Sequence, residues 1–335
     1  MKRWSDLKMA YYVGIDAGGS KTHALVTDEH GHVLGKGISG NGNHQIDAVE
    51  TARHLAEATA EALQQAGIQH ADVAHAYFGL AGADRETDFR ILRPIVSAIG
   101  FPRFSIACDT IIGLRAGTDR PYGISVICGT GTNCAGRNKN GEQLQVGGFS
   151  YMYGDFGGGG ALNEEVFRSV IRAWDGREQP TLLTDLLLSK LNYSSVEDMY
   201  NDYLDHDKSV PVDVAKLLFA AASEGDAVAI EILNRQGVEL GKAAAAAARR
   251  LGMGGDTFDV VLTGSLVTRG DTGGWIRGAL EQVVHEAAPG ARIVTLTVDP
   301  VFGAIWAAME EDGLTISADV YARMRALGSF ENIQN

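Results

Sequence analysis

Residues 123–160 read GISVICGTGTNCAGRNKNGEQLQVGGFSYMYGDFGGGG and contain the features that decide the fold. The first six residues, GISVIC, are apolar and rich in β-branched side chains, which predicts a short buried strand. This strand leads directly into a turn of glycine and threonine, Gly129–Asn133. Backbone N–H groups in such a turn can converge on an anion, glycine allows close approach, and threonine hydroxyls add donors. The stretch therefore predicts a phosphate-binding turn after a buried strand.

One acid, Asp155, lies farther along the same stretch, inside the glycine-rich segment Gly154–Gly160. A helical pattern begins immediately afterwards, at Ala161. A carboxylate in flexible backbone just before a helix is an unusual position for a purely structural acid. We therefore predict a functional role for Asp155.

The amino-terminal region contains a passage similar to the one after residue 121. YVGIDAGGSKTHALVTDEHGHVLGKG, which begins at Tyr12, aligns with YGISVICGTGTNCAGRNKNGEQLQVGG, which begins at Tyr122. Both passages predict a strand, a glycine turn, a strand, a tight turn and a third strand. Such an internal repeat predicts two similarly folded halves that present their glycine turns to one cleft. The alternative is chance similarity within a glycine-rich chain.

The rest of the chain alternates predicted strands with predicted helices. The strands are expected at residues 74–80, 104–108, 258–262 and 292–298, and the helices at residues 46–67, 88–100 and 304–309. Residues 162–251 are expected to be almost entirely helical. Pro94 is expected to interrupt the second of these helices. The alternation predicts an α/β protein whose mixed sheets are flanked by helices. Ligands of such sheets gather at the carboxyl ends of strands, where Asp109 lies.

A linker-like segment, Thr118–Gly123, places the predicted domain boundary near residue 117. The first domain comprises residues 1–117 together with a carboxyl-terminal helix at about 304–335 that crosses back to it. The second comprises residues 118–303, with a helical insertion at about 162–251. Residues 1–10 are expected to be a loose lead-in.

Composition excludes several functional classes. The 335 residues include 29 Lys and Arg against 42 Asp and Glu, and the resulting net charge of −13 argues against a nucleic-acid partner. No apolar run is long enough to span a membrane, and no signal peptide fits the amino terminus. The cysteines lack metal-site spacing and indicate a reducing compartment, so we expect a cytoplasmic protein. Three histidines also lack ligand spacing, which indicates surface positions for His30, His32 and His44.

Three motifs now stand in order along the chain: DAGGSKT from Asp16, GTGTN from Gly129 and VLTGS from Val261. They resemble the phosphate-1, phosphate-2 and adenosine motifs of the sugar kinase, heat-shock chaperone and actin superfamily. The GTGTN turn, followed by Gly147-Gly148-Phe149 and by GDFG from Gly154, resembles the N-acetylglucosamine kinase branch of the BadF/BadG/BcrA/BcrD ATPase family. The resemblance covers nearly the whole chain.

That resemblance implies two actin-like, ribonuclease H-like domains around a nucleotide cleft. It implies an ATP-dependent kinase that uses Mg²⁺ and phosphorylates the 6-hydroxyl of N-acetylglucosamine, usually as a homodimer. Asp109 would be the general base, an assignment compatible with the simpler role of a helix N-cap. Asp16 would hold Mg²⁺ through water. The second repeat has Ile127 at the position of Asp16, which fits a single metal site.

The resemblance also implies which residues bind the two substrates. Lys21 either assists the phosphates or points to solvent. The nucleotide would contact Gly18, Gly19, Ser20, Lys21, Thr22, Gly129, Thr130, Gly131, Gly264 and Ser265. The sugar would contact Asn43, Ala81, Gly82, Asn133, Gly148, Phe149 and Asp155. Relatives often carry Trp at the position of Phe149, so glucosamine and N-acetylmuramic acid stay open as alternative acceptors.

A second functional class within this family is the reductase-activating ATPases, which hold an iron–sulfur cluster with cysteine ligands. Cys128 and Cys134 flank the second glycine turn, and this position favours the hypothesis. That hypothesis leaves the acids Asp109 and Asp155 without a role. A sugar-sensing regulator is a third hypothesis, but the sequence shows no added DNA-binding segment.

Overall fold

The structure is a computed structural model that describes residues 9–334. The chain forms two compact units: one comprises the chain up to Gly123 and from Leu296 onward, and the other comprises Ile124–Thr295. Residues 1–8 of the predicted lead-in lie outside the described residues.

The first unit is built on a five-stranded sheet in the order β3-β2-β1-β4-β5. β1, β2 and β3 pair antiparallel, whereas β4 and β5 continue the sheet parallel to β1. Its strands are β1 Tyr11–Ala17, β2 Thr22–Asp28, β3 Val33–Ser39, β4 Val73–Leu80 and β5 Phe104–Cys108. Its helices are α1 Ala48–Ala66, α2 Glu86–Ser97, α3 Asp109–Gly117, α10 Pro300–Glu311 and α11 Ala318–Leu327.

The second unit contains a sheet in the order β10-β9-β6-β7-β8. β9 pairs parallel with both β6 and β10, and β7 pairs antiparallel with β8. Its strands are β6 Gly123–Cys128, β7 Thr132–Arg137, β8 Gln143–Gln145, β9 Phe258–Thr263 and β10 Ala291–Thr295. Its helices are α4 Gly159–Trp174, α5 Leu183–Leu191, α6 Val196–Asp205, α7 Lys216–Ser223, α8 Ala227–Arg250 and α9 Trp275–Ala287.

The two sheets have the same topology. In each, the strand before the glycine turn lies at the centre, the two strands after the turn lie on one side, and two parallel strands lie on the other. The repeat read from the sequence therefore corresponds to two copies of one α/β arrangement. The predicted fold class, two mixed sheets flanked by helices, is confirmed.

Helix α1 packs directly on β3 because that strand carries glycine where the helix crosses it. A Cβ atom at Gly35 would lie 2.1 Å from the carbonyl oxygen of Ala62, and one at Gly37 would lie 2.0 Å from that of Ala58. Asp47 caps the start of α1 by accepting hydrogen bonds from two backbone N–H groups, and Gly67 ends the helix with a left-handed φ of 68°. The sequence therefore determines both ends of α1 and its distance from the sheet.

Several predicted element bounds need correction. Pro94 does not interrupt α2, which continues to Ser97, and the Pro94 carbonyl accepts a hydrogen bond from Ala98 N. The closing helix begins at Pro300 because proline is favoured in the first helical turn, and a second helix, α11, follows it. The last strand ends at Thr295 and not at residue 298. Most of the alanines in the alanine-rich part of α8 are buried in the core.

Candidate active site

Asp16 and Asp109 lie at the same edge of the first sheet. Leu80 at the end of β4 pairs with Ala17 of β1 on one side and with Cys108 of β5 on the other. The carboxyl ends of three neighbouring parallel strands are therefore level. This register brings two acids that are more than ninety positions apart in the sequence to one edge, where ligands of α/β sheets bind.

The carboxylate of Asp16 lies in an acidic environment. Its pKa is raised from an ordinary 3.8 to about 7, first by burial and then by the negative charges of Asp109 and Asp299, with Lys21 opposing them. Crowded carboxylate oxygens are the donor set that a hard cation such as Mg²⁺ prefers. Among the described residues, no group of three or more His, Cys, Asp and Glu side chains is arranged to enclose a metal.

Asp109 is the first residue of α3, and the cap position belongs to Cys108. The alternative role of Asp109 as helix N-cap is therefore wrong. Its Oδ1 atom lies 3.2 Å from the Sγ atom of Cys108 and 3.3 Å from the hydroxyl of Thr110. Burial raises the pKa of Asp109, and the hydrogen bonds from Cys108 and Thr110 oppose that rise. A carboxylate with a raised pKa accepts a proton more readily than an ordinary aspartate.

The first glycine turn joins β1 to β2. Gly18 N donates to the carbonyl of Lys21 at 2.9 Å, which closes the turn, while Gly19, Ser20 and Lys21 are exposed. Thr22 is buried, and its hydroxyl donates to the carbonyl of Gly40 at 2.9 Å. The structure thus presents the tip of the turn to a ligand and uses the Thr22 side chain inside the unit. The positive charge of Lys21 acts on Asp16.

Two segments predicted to contact the sugar, the loop around Asn43 and Ala81–Gly82, are brought together within the first unit. A Cβ atom at Gly82 would lie 2.9 Å from Asn43 Oδ1, and the Gln45 side chain donates to the Gly82 carbonyl at 3.3 Å. Asn43 Oδ1 accepts a hydrogen bond from Gln45 N at 2.9 Å, so a ligand would meet the amide N–H groups of Asn43. Sequence reasoning missed Gln45, which only its position beside Asn43 could have indicated.

His44, in the same loop, is buried and does not lie at the surface as the sequence analysis expected. Its side chain is 2% exposed, and its Nε2 atom lies 3.3 Å from Asp88 Oδ1. Arg85 also pairs with Asp88, and this holds the carboxylate in place and lowers its pKa to about 2 against the cost of burial. His44 therefore anchors the loop that carries Asn43 to the start of α2.

The second glycine turn, between β6 and β7, rests on the beginning of α4. Gly159 N donates to the Gly129 carbonyl at 2.7 Å, and Gly160 N donates to the Thr130 carbonyl at 3.0 Å. Thr130 and Gly131 are exposed. The carbonyl groups of Gly129 and Thr130 are thus directed to the helix, while the exposed backbone of the turn and the threonine hydroxyl remain available to an anion.

The third motif lies against this turn. Gly264 adopts a left-handed φ of 89°, and a Cβ atom there would lie 2.4 Å from the carbonyl oxygen of Cys128. Only glycine allows the two backbones to approach so closely. The structure therefore brings Gly264 beside Gly129, as a shared nucleotide site within the second unit would require.

Asp155 organises the loop before it. Its Oδ2 atom accepts hydrogen bonds from the backbone N–H groups of Gly148 at 3.0 Å, Phe149 at 2.7 Å and Ser150 at 2.7 Å. Ser150 has a φ of 119°, a strained value for any residue other than glycine. Asp155 therefore stabilises an otherwise unfavourable loop, a structural role that the sequence analysis did not assign to it.

The residues predicted to contact the sugar in the second unit line two adjoining cavities. A cavity of about 260 Å³ is lined in part by Asn133, Gly148 and Asp155. A second, of about 640 Å³, is lined in part by Gly148, Phe149 and Asp155. Phe149 is 41% exposed, so its ring is accessible to a ligand. Pockets for small molecules have volumes of this order.

Sequence reasoning missed Gln236, a fully buried residue of α8. Its Oε1 atom accepts a hydrogen bond from Gly158 N at 3.1 Å, and its Nε2 atom donates to the Phe156 carbonyl at 3.3 Å. Gly157, between these contacts, has a φ of 93°, and a Cβ atom there would lie 1.4 Å from Gln236 Oε1. Gln236 thus holds the segment after Asp155. A lone glutamine in a helical pattern carries no sequence signal for this role.

Comparison with known proteins shows which family the chain belongs to. A model of the BadF/BadG/BcrA/BcrD ATPase family matches residues 13–309. The chain belongs to this family. It is 28% identical over 308 residues to the N-acetylmuramic acid/N-acetylglucosamine kinase of Clostridium acetobutylicum, and the match covers 90% of this chain and 99% of that protein. It is 27% identical to the N-acetyl-D-glucosamine kinase of Dictyostelium discoideum, with 88% and 96% covered.

The fold is also shared with a solved structure. A protein from Chromobacterium violaceum, described as a candidate N-acetylglucosamine kinase, superposes with a TM-score of 0.65 at 24% identity, and the match covers 89% of this chain and 99% of that one. At this identity the likeness concerns the fold alone, and it agrees with the predicted α/β arrangement of two mixed sheets flanked by helices. No helix in the described part of the chain is long and apolar enough to cross a membrane.

Proposed function

We propose that this chain is an ATP-dependent amino-sugar kinase that transfers the γ-phosphoryl group of ATP to the 6-hydroxyl of N-acetylglucosamine. The observation that supports this best is the level register that brings Asp109 and Asp16 to one strand edge. Phosphoryl transfer requires a group that orients the acceptor hydroxyl and accepts its proton, and a cation that neutralises developing charge. Two acids in different electrostatic environments supply these separate roles.

In this proposal Asp109 accepts the proton of the acceptor hydroxyl. Its raised pKa makes it a stronger base than an exposed aspartate. Asp16 would hold Mg²⁺ through water, and the bound ion would neutralise charge on the ATP phosphates. Because Asp109 and Asp299 raise the pKa of Asp16, a cation at this place would relieve carboxylate repulsion within the first unit.

We assign the ATP phosphates to the exposed tips of the glycine turns, and the adenine ring to the backbone at Gly264 and Ser265. We assign the sugar to Asn43 with Ala81–Gly82 in the first unit, and to Asn133 with the Gly148–Asp155 loop in the second. Buried sugar hydroxyls need polar partners, since each one left unpaired costs about 1–3 kcal/mol. The names of the two curated relatives support an amino-sugar acceptor. A cytoplasmic homodimer completes the proposal.

Two other acceptors belong to the same class. A Vibrio cholerae relative, 27% identical over 238 residues, is named as a glucosamine kinase, and the Clostridium relative also acts on N-acetylmuramic acid by its name. The exposed ring of Phe149 is the contact expected to separate these acceptors, because it lies beside the cavity that Asp155 lines.

A coupled ADP-release assay with glucosamine, N-acetylglucosamine, N-acetylmuramic acid and glucose tests the proposal. We expect the highest kcat/KM with N-acetylglucosamine, and turnover that requires added Mg²⁺. Asp213→Asn, a substitution at an exposed ion pair with Lys190 in the second unit, is the matched control for Asp109→Asn and should retain full activity. Absence of turnover on all four sugars would refute the kinase assignment.

The structure gives little support to the reductase-activating alternative. Cys128 and Cys134 are buried, and burial raises the pKa of each thiol to about 12. Iron–sulfur ligation needs accessible thiolates. Protein purified without oxygen should therefore be colourless, and a cluster absorbance would favour the alternative instead.

A further inference from the structure

The thiol of Cys108 lies at the centre of a group of oxygen acceptors beside the proposed base. Its Sγ atom is 3.2 Å from Asp109 Oδ1, 3.2 Å from Asp84 Oδ1 and 3.3 Å from the Thr110 hydroxyl. Cys108 is only 7% exposed. A sulfur held this close to two carboxylates is stable only as a protonated donor, since a thiolate there would be repelled by both acids.

The protonation state of the thiol follows from the same surroundings. Burial raises the pKa of Cys108 well above its usual range, and the charges of Asp109 and Asp84 raise it further. The S–H group is therefore retained across the pH range in which a kinase works. It remains a hydrogen-bond donor and is not a nucleophile or a metal ligand.

We propose that Cys108 is a positioning residue for the kinase reaction. Its S–H group donates to Oδ1 of Asp109 and fixes the rotation of that carboxylate, leaving Oδ2 for the proton of the acceptor hydroxyl. The same sulfur contacts Asp84, which follows the Ala81–Gly82 segment assigned to the sugar. Cys108 thus connects Asp109 to the loop that contains the Ala81–Gly82 segment, within the first unit. This inference rests on the proposed function.

The hydrogen bond from Cys108 also affects the pKa of Asp109, as do the other groups around that carboxylate. The charged groups near it are Asp16 on β1 and Asp84 in the loop after β4, both acidic, and the Thr110 hydroxyl donates to the same Oδ1 atom. Burial disfavours a charged Asp109, whereas the hydrogen bonds from the thiol and the hydroxyl favour it. Loss of the thiol donor should therefore raise the pKa of Asp109.

Cys108→Ala, Cys108→Ser and the control Cys128→Ala test this role. Cys128 is also buried but lies in the second unit, so its alanine variant reports the cost of losing a buried thiol that takes no part in positioning Asp109. We expect Cys108→Ala to lower kcat about tenfold with the sugar KM changed less than about twofold, since one hydrogen bond to a charged group is lost. Cys108→Ser, which keeps a donor, should retain kcat within about threefold.

The pH profile provides the readout that a packing role would not move. In Cys108→Ala the acid limb of kcat should shift upward by about one pH unit, and Cys108→Ser should restore it. Carbon-13 NMR titration of the Asp109 carboxyl should show the same upward shift without turnover. An unshifted titration, or equal kcat losses in Cys108→Ala and Cys128→Ala, would overturn the positioning role. The NMR titration needs no catalysis. It therefore distinguishes failure of the positioning role of Cys108 from failure of the proposed kinase function, in which the wild type would be inactive.

Discussion

Substitution of Asp16 by Asn should stabilise the metal-free protein at alkaline pH. The pKa of Asp16 is raised from 3.8 to about 7, a change of about 3 units, and each unit corresponds to about 1.4 kcal/mol. Ionised Asp16 thus costs the folded state about 4 kcal/mol above pH 7. Because the folded state binds the proton more tightly than the unfolded state, this cost develops as the pH rises from about 4 to about 7 and is absent below that window.

Urea unfolding of wild type and Asp16→Asn in the presence of a chelator measures this cost. The variant should be the more stable protein at pH 8, and its advantage should be larger there than at pH 5 by about 2–3 kcal/mol. Added Mg²⁺ should stabilise wild type and leave the variant unchanged. A constant stability difference across pH, or a variant less stable than wild type at pH 8, would refute the electrostatic description of the site.

Two further substitutions test the second unit. Gly157→Ala should destabilise the protein by about 2–4 kcal/mol, because its Cβ atom would overlap the Gln236 side chain and its φ is left-handed. A double-mutant cycle of chemical denaturation curves should show a smaller cost in a Gln236→Ala background, and strict additivity would contradict the contact. Asp155→Ala removes the acceptor of three backbone N–H groups and should raise the sugar KM at least tenfold, as measured by steady-state kinetics, with the ATP KM nearly unchanged. An unchanged sugar KM would remove Asp155 from the acceptor site.

The fold could be predicted from the sequence because its signals are local and occur twice. The strand, glycine turn and strand pattern that begins at Tyr12 recurs at Tyr122, and each copy became the antiparallel side of one sheet. Asp109 could be placed at a strand end because β5 is short, apolar and followed by a helix. The effect of a single proline was not predictable in this way: Pro94 was expected to interrupt α2, but the helix continues through it to Ser97.

Contacts between distant residues were not predictable. Gln236 reaches Gly158 across 78 positions, and no periodicity marks it as different from any other buried helical residue. His44 could not be recognised as buried because its partner, Asp88, lies 44 positions away. The hydrogen bonds that Asp155 accepts from its own loop also depend on the backbone conformation at Ser150, which the pattern of side chains in the sequence does not indicate.

The central claim is that the chain phosphorylates an amino sugar with Asp109 as the base. The most direct measurement is phosphorus NMR of the product formed from N-acetylglucosamine and ATP by wild type and by Asp109→Asn, together with nucleotide binding by both proteins. We expect wild type to yield the 6-phosphate, and the variant to bind ATP with similar affinity while losing at least a thousandfold in rate. A variant that retains more than about a tenth of the wild-type rate, or a wild type that yields no sugar phosphate, would contradict the claim.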